Sequence, residues 1–193
     1  MRLFVAAELP AGLRRHFASL QTELEGELPR VRWVRAEGIH LTLKFLGETK
    51  EALLGSIQEG LARCVREESP LRLLAGEAGL FPERGAPRLV WVPVGGDLDG
   101  ARRLAVAIDR EMVRLGFPAE TRPFRPHLTL GRVKDRMTAG ERSGLAKVAG
   151  RPGGAFPVDE CILFESVLRP DGAVHTPLGR FPLLGPGRAE VGA

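Results

Sequence analysis

Two histidines stand in identical surroundings. The tetrapeptide His-Leu-Thr-Leu occurs at residues 40–43 and again at 127–130, 87 residues further along the chain. In an extended strand, alternate side chains share a face and lie about 6.5–7 Å apart along it. His40 and Thr42 therefore project to one side, with Leu41 and Leu43 on the other. His127 and Thr129 do the same, backed by Leu128 and Leu130. Leucines turned into a core leave an imidazole and a hydroxyl on each polar face. Such a set suits an in-line displacement at phosphorus. One neutral histidine takes a proton from the attacking hydroxyl or water, and the other, as imidazolium, gives one to the departing oxygen. Threonine hydroxyls donate hydrogen bonds to the non-bridging oxygens, where negative charge must be held. Attack and departure lie on opposite sides of phosphorus, so the two histidines have to occupy opposite walls of a groove.

A lone His-x-Thr on a strand is usually structural or exposed; it is the duplication that carries the signal. Metal binding is the competing chemistry, with two histidines joined by a carboxylate such as Glu37 or Asp135. No His-x-His or HExxH spacing supports it.

The elements around the two motifs repeat as well. RLFVAAEL from Arg2 corresponds to RLVWVPVG from Arg88, both β-rich. Leu13, Phe17, Leu20 and Leu24 then recur at helical spacing, as do Ala101, Leu104, Ala105, Ile108, Met112 and Leu115. An HLTL strand follows each helix. Next come a helix placed to be capped by Thr49, and another opened by Thr138 with Glu141 as a capping box. Strands close each half, at Leu71–Ala75 and at 157–167, and Arg169-Pro170-Asp171-Gly172 reads as a hairpin turn into a last strand near 173–181. The expected fold is α+β and bilobal: two pseudo-symmetric β-α-β-α-β lobes, with antiparallel-type sheets facing a central cleft. Residues 1–193 form one such domain, with repeats over about 2–76 and 88–182 and a frayed tail over 185–193.

Composition bounds the partners. No run in the 193 residues reaches membrane-spanning length, and MRLFVAAELP reads as a first strand and not a signal peptide. Cys64 and Cys161 lack metal-ligand spacing and sit in apolar patterns, as buried free thiols do. These features point to a cytoplasmic protein. The net charge is +4, and 24 of the 28 basic residues are arginine. Arginine suits phosphate and stacks on bases, so an anionic partner fits; a genomic arginine bias or heat adaptation fits equally.

HLTLKFLGE at His40–Glu48 and RPHLTLGR at 125–132 resemble the paired signatures of the 2H phosphoesterase superfamily. The resemblance is strongest to its bacterial and archaeal RNA 2′,3′-cyclic phosphodiesterases, historically called 2′-5′ RNA ligases, and covers nearly the whole chain. It implies metal-independent chemistry with no cofactor, acting on RNA or nucleotides with 2′,3′-cyclic phosphate ends and leaving a 2′-phosphate. It implies no membrane and no obligate protein partner. By that analogy His40 is the proton donor, His127 the proton acceptor, and Thr42 and Thr129 hold the phosphate. The pseudo-symmetric sequence itself permits the reverse assignment. With a 5′-hydroxyl as nucleophile in place of water, the same steps give 2′-5′ ligation.

Arg132 falls opposite His127 by strict alternation, but Gly131 allows a bulge that returns it to the groove, and the resemblance favours a phosphate-facing arginine there. Lys44 shares the face of His40 by alternation and would add positive potential. Phe45, Trp33, Phe124 and Phe164 are available for base stacking, yet aromatics in strands are more often core. His16 reads as a surface residue. His175, with no threonine two residues on, reads as structural. The 95–100 glycine-rich segment lacks Gly-Lys-Ser/Thr and reads as a strand-to-helix turn. The rival function is a non-catalytic RNA-binding module using the same basic groove.

Overall fold

Five consecutive apolar residues, Leu3 to Ala7, leave the first strand no polar face, and β1 (Arg2–Glu8) is buried on both sides. Leu3, Val5 and Ala7 enter the main core, while Phe4 and Ala6 join Ile162 and Phe164 in a small second cluster on the other face. The computed structural model describes residues 1–170 and 172–186. There the chain continues through α1 (Ala11–Glu27), β2 (Val31–Trp33), β3 (His40–Glu48), α2 (Leu54–Val65), β4 (Leu71–Ala75), β5 (Gly79–Phe81) and β6 (Leu89–Gly96). It then forms α3 (Leu98–Arg114), β7 (His127–Val133), α4 (Ala139–Val148), β8 (Gly154–Val158), β9 (Glu160–Arg169) and β10 (Gly172–Pro182).

The fold is α+β, as expected. One curled antiparallel sheet runs β10-β9-β1-β3-β7-β6-β4-β8, with β2 added to β7 and β5 to β6. Helix spacing delivers the predicted apolar faces. Leu13, Phe17, Leu20 and Leu24 of α1, Ile57 and Leu61 of α2, and Leu104, Ile108 and Met112 of α3 are all buried. Leu41, Leu43, Leu128 and Leu130 enter the same core from the two HLTL strands. Burial of about 1.5–3 kcal/mol per large apolar side chain is what fixes those strands in depth and rotation.

The halves join where β3 meets β7 through a single registered pair, Leu41 opposite Leu128. These two leucines are equivalents in the repeated tetrapeptide, so the pair marks the local two-fold axis. The lobes are not each made of one repeat, however. β4, from the first repeat, lies beside β6; β9, from the second, lies beside β1. The exchange gives β1 and β6 a hydrogen-bonded neighbour on both edges. It also explains why 157–167 is not one strand. The segment breaks at Asp159 into β8, beside β4 at one end of the sheet, and β9, beside β1 near the other.

Register corrects the repeat alignment by one residue. Ala6 pairs with Thr42, and Trp91 pairs with Thr129, so Ala6 corresponds to Trp91 and not to Val92. Thr138 and Glu141 form the expected capping box. Thr49 caps nothing: its hydroxyl donates to the Gly47 carbonyl and its N–H to the Met1 carbonyl. A 3-10 turn at Glu51–Leu53 separates it from α2. Asp97 caps α3 at the end of the glycine-rich turn, accepting from the Gly100 N–H. Gly185 donates to the Glu68 carbonyl and Ser69 to the Pro186 carbonyl, so those two tail residues are docked. The rest of the expected frayed tail, 187–193, and Asp171 of the hairpin turn lie outside the described residues.

Candidate active site

His40 and His127 open β3 and β7, on either side of the two-fold axis. Each ring is tethered in the same way. His40 Nδ1 lies 2.8 Å from the Gly38 carbonyl oxygen, and His127 Nδ1 lies 2.8 Å from that of Arg125. A carbonyl only accepts, so each Nδ1 carries the hydrogen and each Nε2 is left for chemistry. Continuing the antiparallel register one residue from Leu41–Leu128 sets His40 opposite Thr129 and Thr42 opposite His127. Both threonines are partly buried, and among the described residues neither hydroxyl is bonded to protein. The four predicted side chains are thus brought together about one axis.

Each strand then carries a bulge at the same place in its repeat. On β3 the partners of β1 jump from Thr42 to Lys44, and on β7 those of β6 jump from Thr129 to Gly131. Two consecutive residues turn inward, Leu43 with Lys44 and Leu130 with Gly131, and the next returns to the groove face. Arg132 pairs with Leu89, two residues from Trp91, and so shares the face of Thr129. It is exposed, and it stands in register with Arg32 of β2. Only glycine fits the inward position on β7, because a Cβ at Gly131 would lie 2.4 Å from Val31 Cγ1. The Leu130 carbonyl at this bulge accepts from the buried Gln21 amide at 2.9 Å.

The first bulge overturns the reading of Lys44. It points away from His40, with its ammonium buried against Asp109 Oδ1 (2.5 Å) and the Pro118 carbonyl (2.9 Å). Lys44→Met should therefore cost about 2 kcal/mol in denaturant unfolding, by stranding Asp109, while leaving KM unchanged. A higher KM at unchanged stability would return Lys44 to the groove. Phe45 instead takes the groove position equivalent to Arg132 and is 67% exposed.

The floor under His40 is aromatic. Phe4 lies 4.7 Å from it between ring centroids and stacks at 5.2 Å on Phe164. Beside His127 the aromatic is Trp91, at 5.6 Å, packed in turn on Phe81. Trp33 and Phe124 pack against the main core instead. Burial pushes the His40 pKa down to about 4. His175 acts in the same direction, the Gly38 hydrogen bond opposes, and His127 adds a smaller downward push.

His175 is the residue that sequence reading missed. It is not a bystander in the last hairpin but stands edge-on to His40, 5.3 Å between centroids at 86°. No local motif marks it, since its place depends on β10 pairing with β9 and β9 with β1. His16 stays on the surface, its Nε2 3.3 Å from the Arg151 carbonyl. Cys64 is partly buried and Cys161 buried, both as free thiols. Glu37 is exposed, and among the described residues no three His, Cys, Asp or Glu side chains gather as metal ligands. No helix there is long and apolar enough to cross a membrane.

A curled antiparallel sheet built twice, with a histidine and a threonine on each central strand, defines a class of phosphoesterases. The chain belongs to the LigT-like phosphoesterase family, whose model matches residues 8–91 and again 95–175. A Methanothermobacter thermautotrophicus protein named RNA 2′,3′-cyclic phosphodiesterase is 34% identical over 187 residues, covering 95% of this chain and 99% of its own. A Thermus thermophilus protein of the same name is also 34% identical, covering 96% of this chain and 91% of its own. Among solved structures, TT0787 of Thermus thermophilus superposes with a TM-score of 0.80 at 31% identity, covering 96% of this chain and 99% of that one. E. coli LigT in complex with 3′-AMP gives 0.72 at 28%, covering 94% and 97%.

Proposed function

We propose that the protein is a metal-independent RNA 2′,3′-cyclic phosphodiesterase that opens cyclic phosphate ends to 2′-phosphates. The observation that carries this reading is the pair of identically tethered imidazoles, each with its Nε2 uncommitted, on opposite sides of the local axis. Relatives named for that activity support it, as does the 3′-AMP complex of a structural neighbour. The rival reading, an RNA-binding module without catalysis, leaves the two tethered imidazoles without a use.

In the proposed reaction the cyclic phosphate lies across the axis. Thr42 and Thr129 donate to its non-bridging oxygens, and the exposed Arg132 guanidinium adds a cationic fork. Water attacks phosphorus while His127 Nε2 accepts its proton. The bond to O3′ breaks, and His40 Nε2–H protonates that oxygen, leaving a free 3′-hydroxyl and a 2′-phosphate. The two imidazoles supply both proton transfers, which makes a metal unnecessary. With a 5′-hydroxyl in place of water, the same displacement and P–O3′ cleavage form a 2′-5′ linkage. The donor and acceptor roles follow the family resemblance, because the tethers are alike. His40 is held neutral in the empty site at neutral pH. An anionic phosphate against its Nε2 favours the charged ring, so the donor forms with substrate in place. RNA as substrate and two free thiols support a cytoplasmic location.

The deciding assay is hydrolysis of a 2′,3′-cyclic nucleotide and of a cyclic-ended oligonucleotide in excess EDTA, with products identified by phosphorus NMR. A 2′-phosphate formed at an unchanged rate is the expected result. Activity that vanished with EDTA and returned with a divalent metal would overturn the two-histidine mechanism.

A further inference from the structure

The third imidazole has a place in this site that sequence position does not suggest. His175 pairs in register with Ser166, two residues from Phe164, which pairs with Phe4. Alternation therefore puts His175, Phe164 and Phe4 on one face of the sheet, the face that carries His40. The rings confirm it: His175 lies 4.9 Å from Phe4 and 5.3 Å from His40, perpendicular to the latter. Among the described residues its Nδ1 is the one buried side-chain nitrogen or oxygen without a hydrogen-bond partner. A proton there would be a buried donor with no acceptor, so the neutral ring keeps its hydrogen on Nε2.

We infer that His175 is a positioning residue of the reaction: edge-on to His40, it limits the pair to one positive charge, so that His40 takes up its catalytic proton only when an anionic phosphate enters. The inference rests on the two-histidine reading above.

Two imidazolium rings at this separation repel, whereas one charged ring set edge-on against a neutral one gains from the aromatic face. The surrounding charges do not relieve the repulsion. Glu8, which pairs in register with His40, is engaged by Arg180, and Arg180 also holds Glu160. Glu165 of β9 faces the opposite side of the sheet from His175, and Glu37 in the turn before β3 is exposed. His127 across the groove is a potential cation, and it acts on His40 in the same direction as His175. Burial acts on both rings in the same direction, and the presence of His175 depresses His40 further. The pair consequently titrates as a unit, with the second proton much harder to add than the first. An empty groove stays uncharged at His40; the phosphate of the substrate supplies the anion that stabilises the proton donor.

The test uses His175→Gln and His175→Phe. Neither replacement carries charge, and the second keeps an aromatic ring against Phe4. His40 is followed by the NMR titration of its Cε1–H, and catalysis by the pH profile of kcat/KM, whose acid limb reports His40 in the free enzyme. In both variants the His40 titration and the acid limb should rise together, by about one pH unit. A packing role alone would leave His175→Phe with the parent's titration and acid limb, and that result overturns the inference. Unmoved limbs alongside inactive alanine variants at His40 and His127 would remove His175 from the mechanism but leave the two-histidine reading standing. Active alanine variants at those two positions would overturn that reading itself.

Discussion

Replacing His127 by alanine should lower kcat/KM for a cyclic-ended oligonucleotide by about three orders of magnitude, while its Kd stays within a few-fold. His127 is hydrogen-bonded to protein through Nδ1 and the Arg125 carbonyl and packs beside Trp91 at the start of β7, so the loss leaves the leucines behind the strand in place. In the proposed reaction the ring's remaining nitrogen serves the reacting atoms, and binding falls to Thr42, Thr129 and Arg132. The effect should therefore fall on kcat, the signature of an interaction made only in the transition state. His40→Ala should show a loss of the same order. The double variant should cost far less than the product of the two, because one concerted displacement needs both proton transfers and fails once either is gone. Independent multiplication of the two losses would mean that the histidines do not act in one step. A Kd weakened in proportion to kcat/KM would identify them as binding groups and revive the RNA-binding module.

Much of this site could be read before folding because its chemistry is local. His-x-Thr alternation and the buried leucines depend only on strand geometry, and β3 and β7 honour both. Arg132 returned to the groove through a bulge that a glycine announces, since Gly131 fills a position no side chain can occupy. The matching bulge on β3 has no such mark. There the inward residue is Lys44, which finds Asp109 from α3 and the Pro118 carbonyl, partners 65 and 74 residues away in sequence. Alternation could not foresee that, and it placed Lys44 on the wrong face. The exchange of β4 and β9 between halves was hidden for a related reason. Periodicity describes a strand's faces, whereas the exchange is about which edge it covers. His175 combines both difficulties, because it reaches His40 only through two successive strand pairings across the sheet. What escaped the sequence was therefore set by pairing at long range, and that same pairing gives the site its electrostatic character.

That character predicts an acid weakness of about 3 kcal/mol that one substitution removes. His40 titrates near 4 in the folded chain against 6.5 for an ordinary histidine, chiefly because it is buried, with His175 pressing the same way. Between those two values the unfolded chain binds a proton that the folded chain refuses. Stability thus rises with pH through this window: the contribution of neutral His40 is complete above about pH 6.5 and gone by about pH 4. The burial-lowered His175 adds to the loss with the same sign. Carboxylates titrate over part of the range as well, so the parent's curve alone does not isolate the imidazole. The difference between the parent and His40→Gln does, since glutamine has an amide to donate to the Gly38 carbonyl and no proton to gain. Denaturant unfolding of both proteins at pH 7, 5.5 and 4.5 should show the parent losing more stability than the variant, with the gap widening as pH falls. Parallel curves would mean that His40 is solvated well enough to charge freely in the empty groove. The proton it donates would then be present before substrate arrives, and the arrangement of three imidazoles on an aromatic floor would need another explanation.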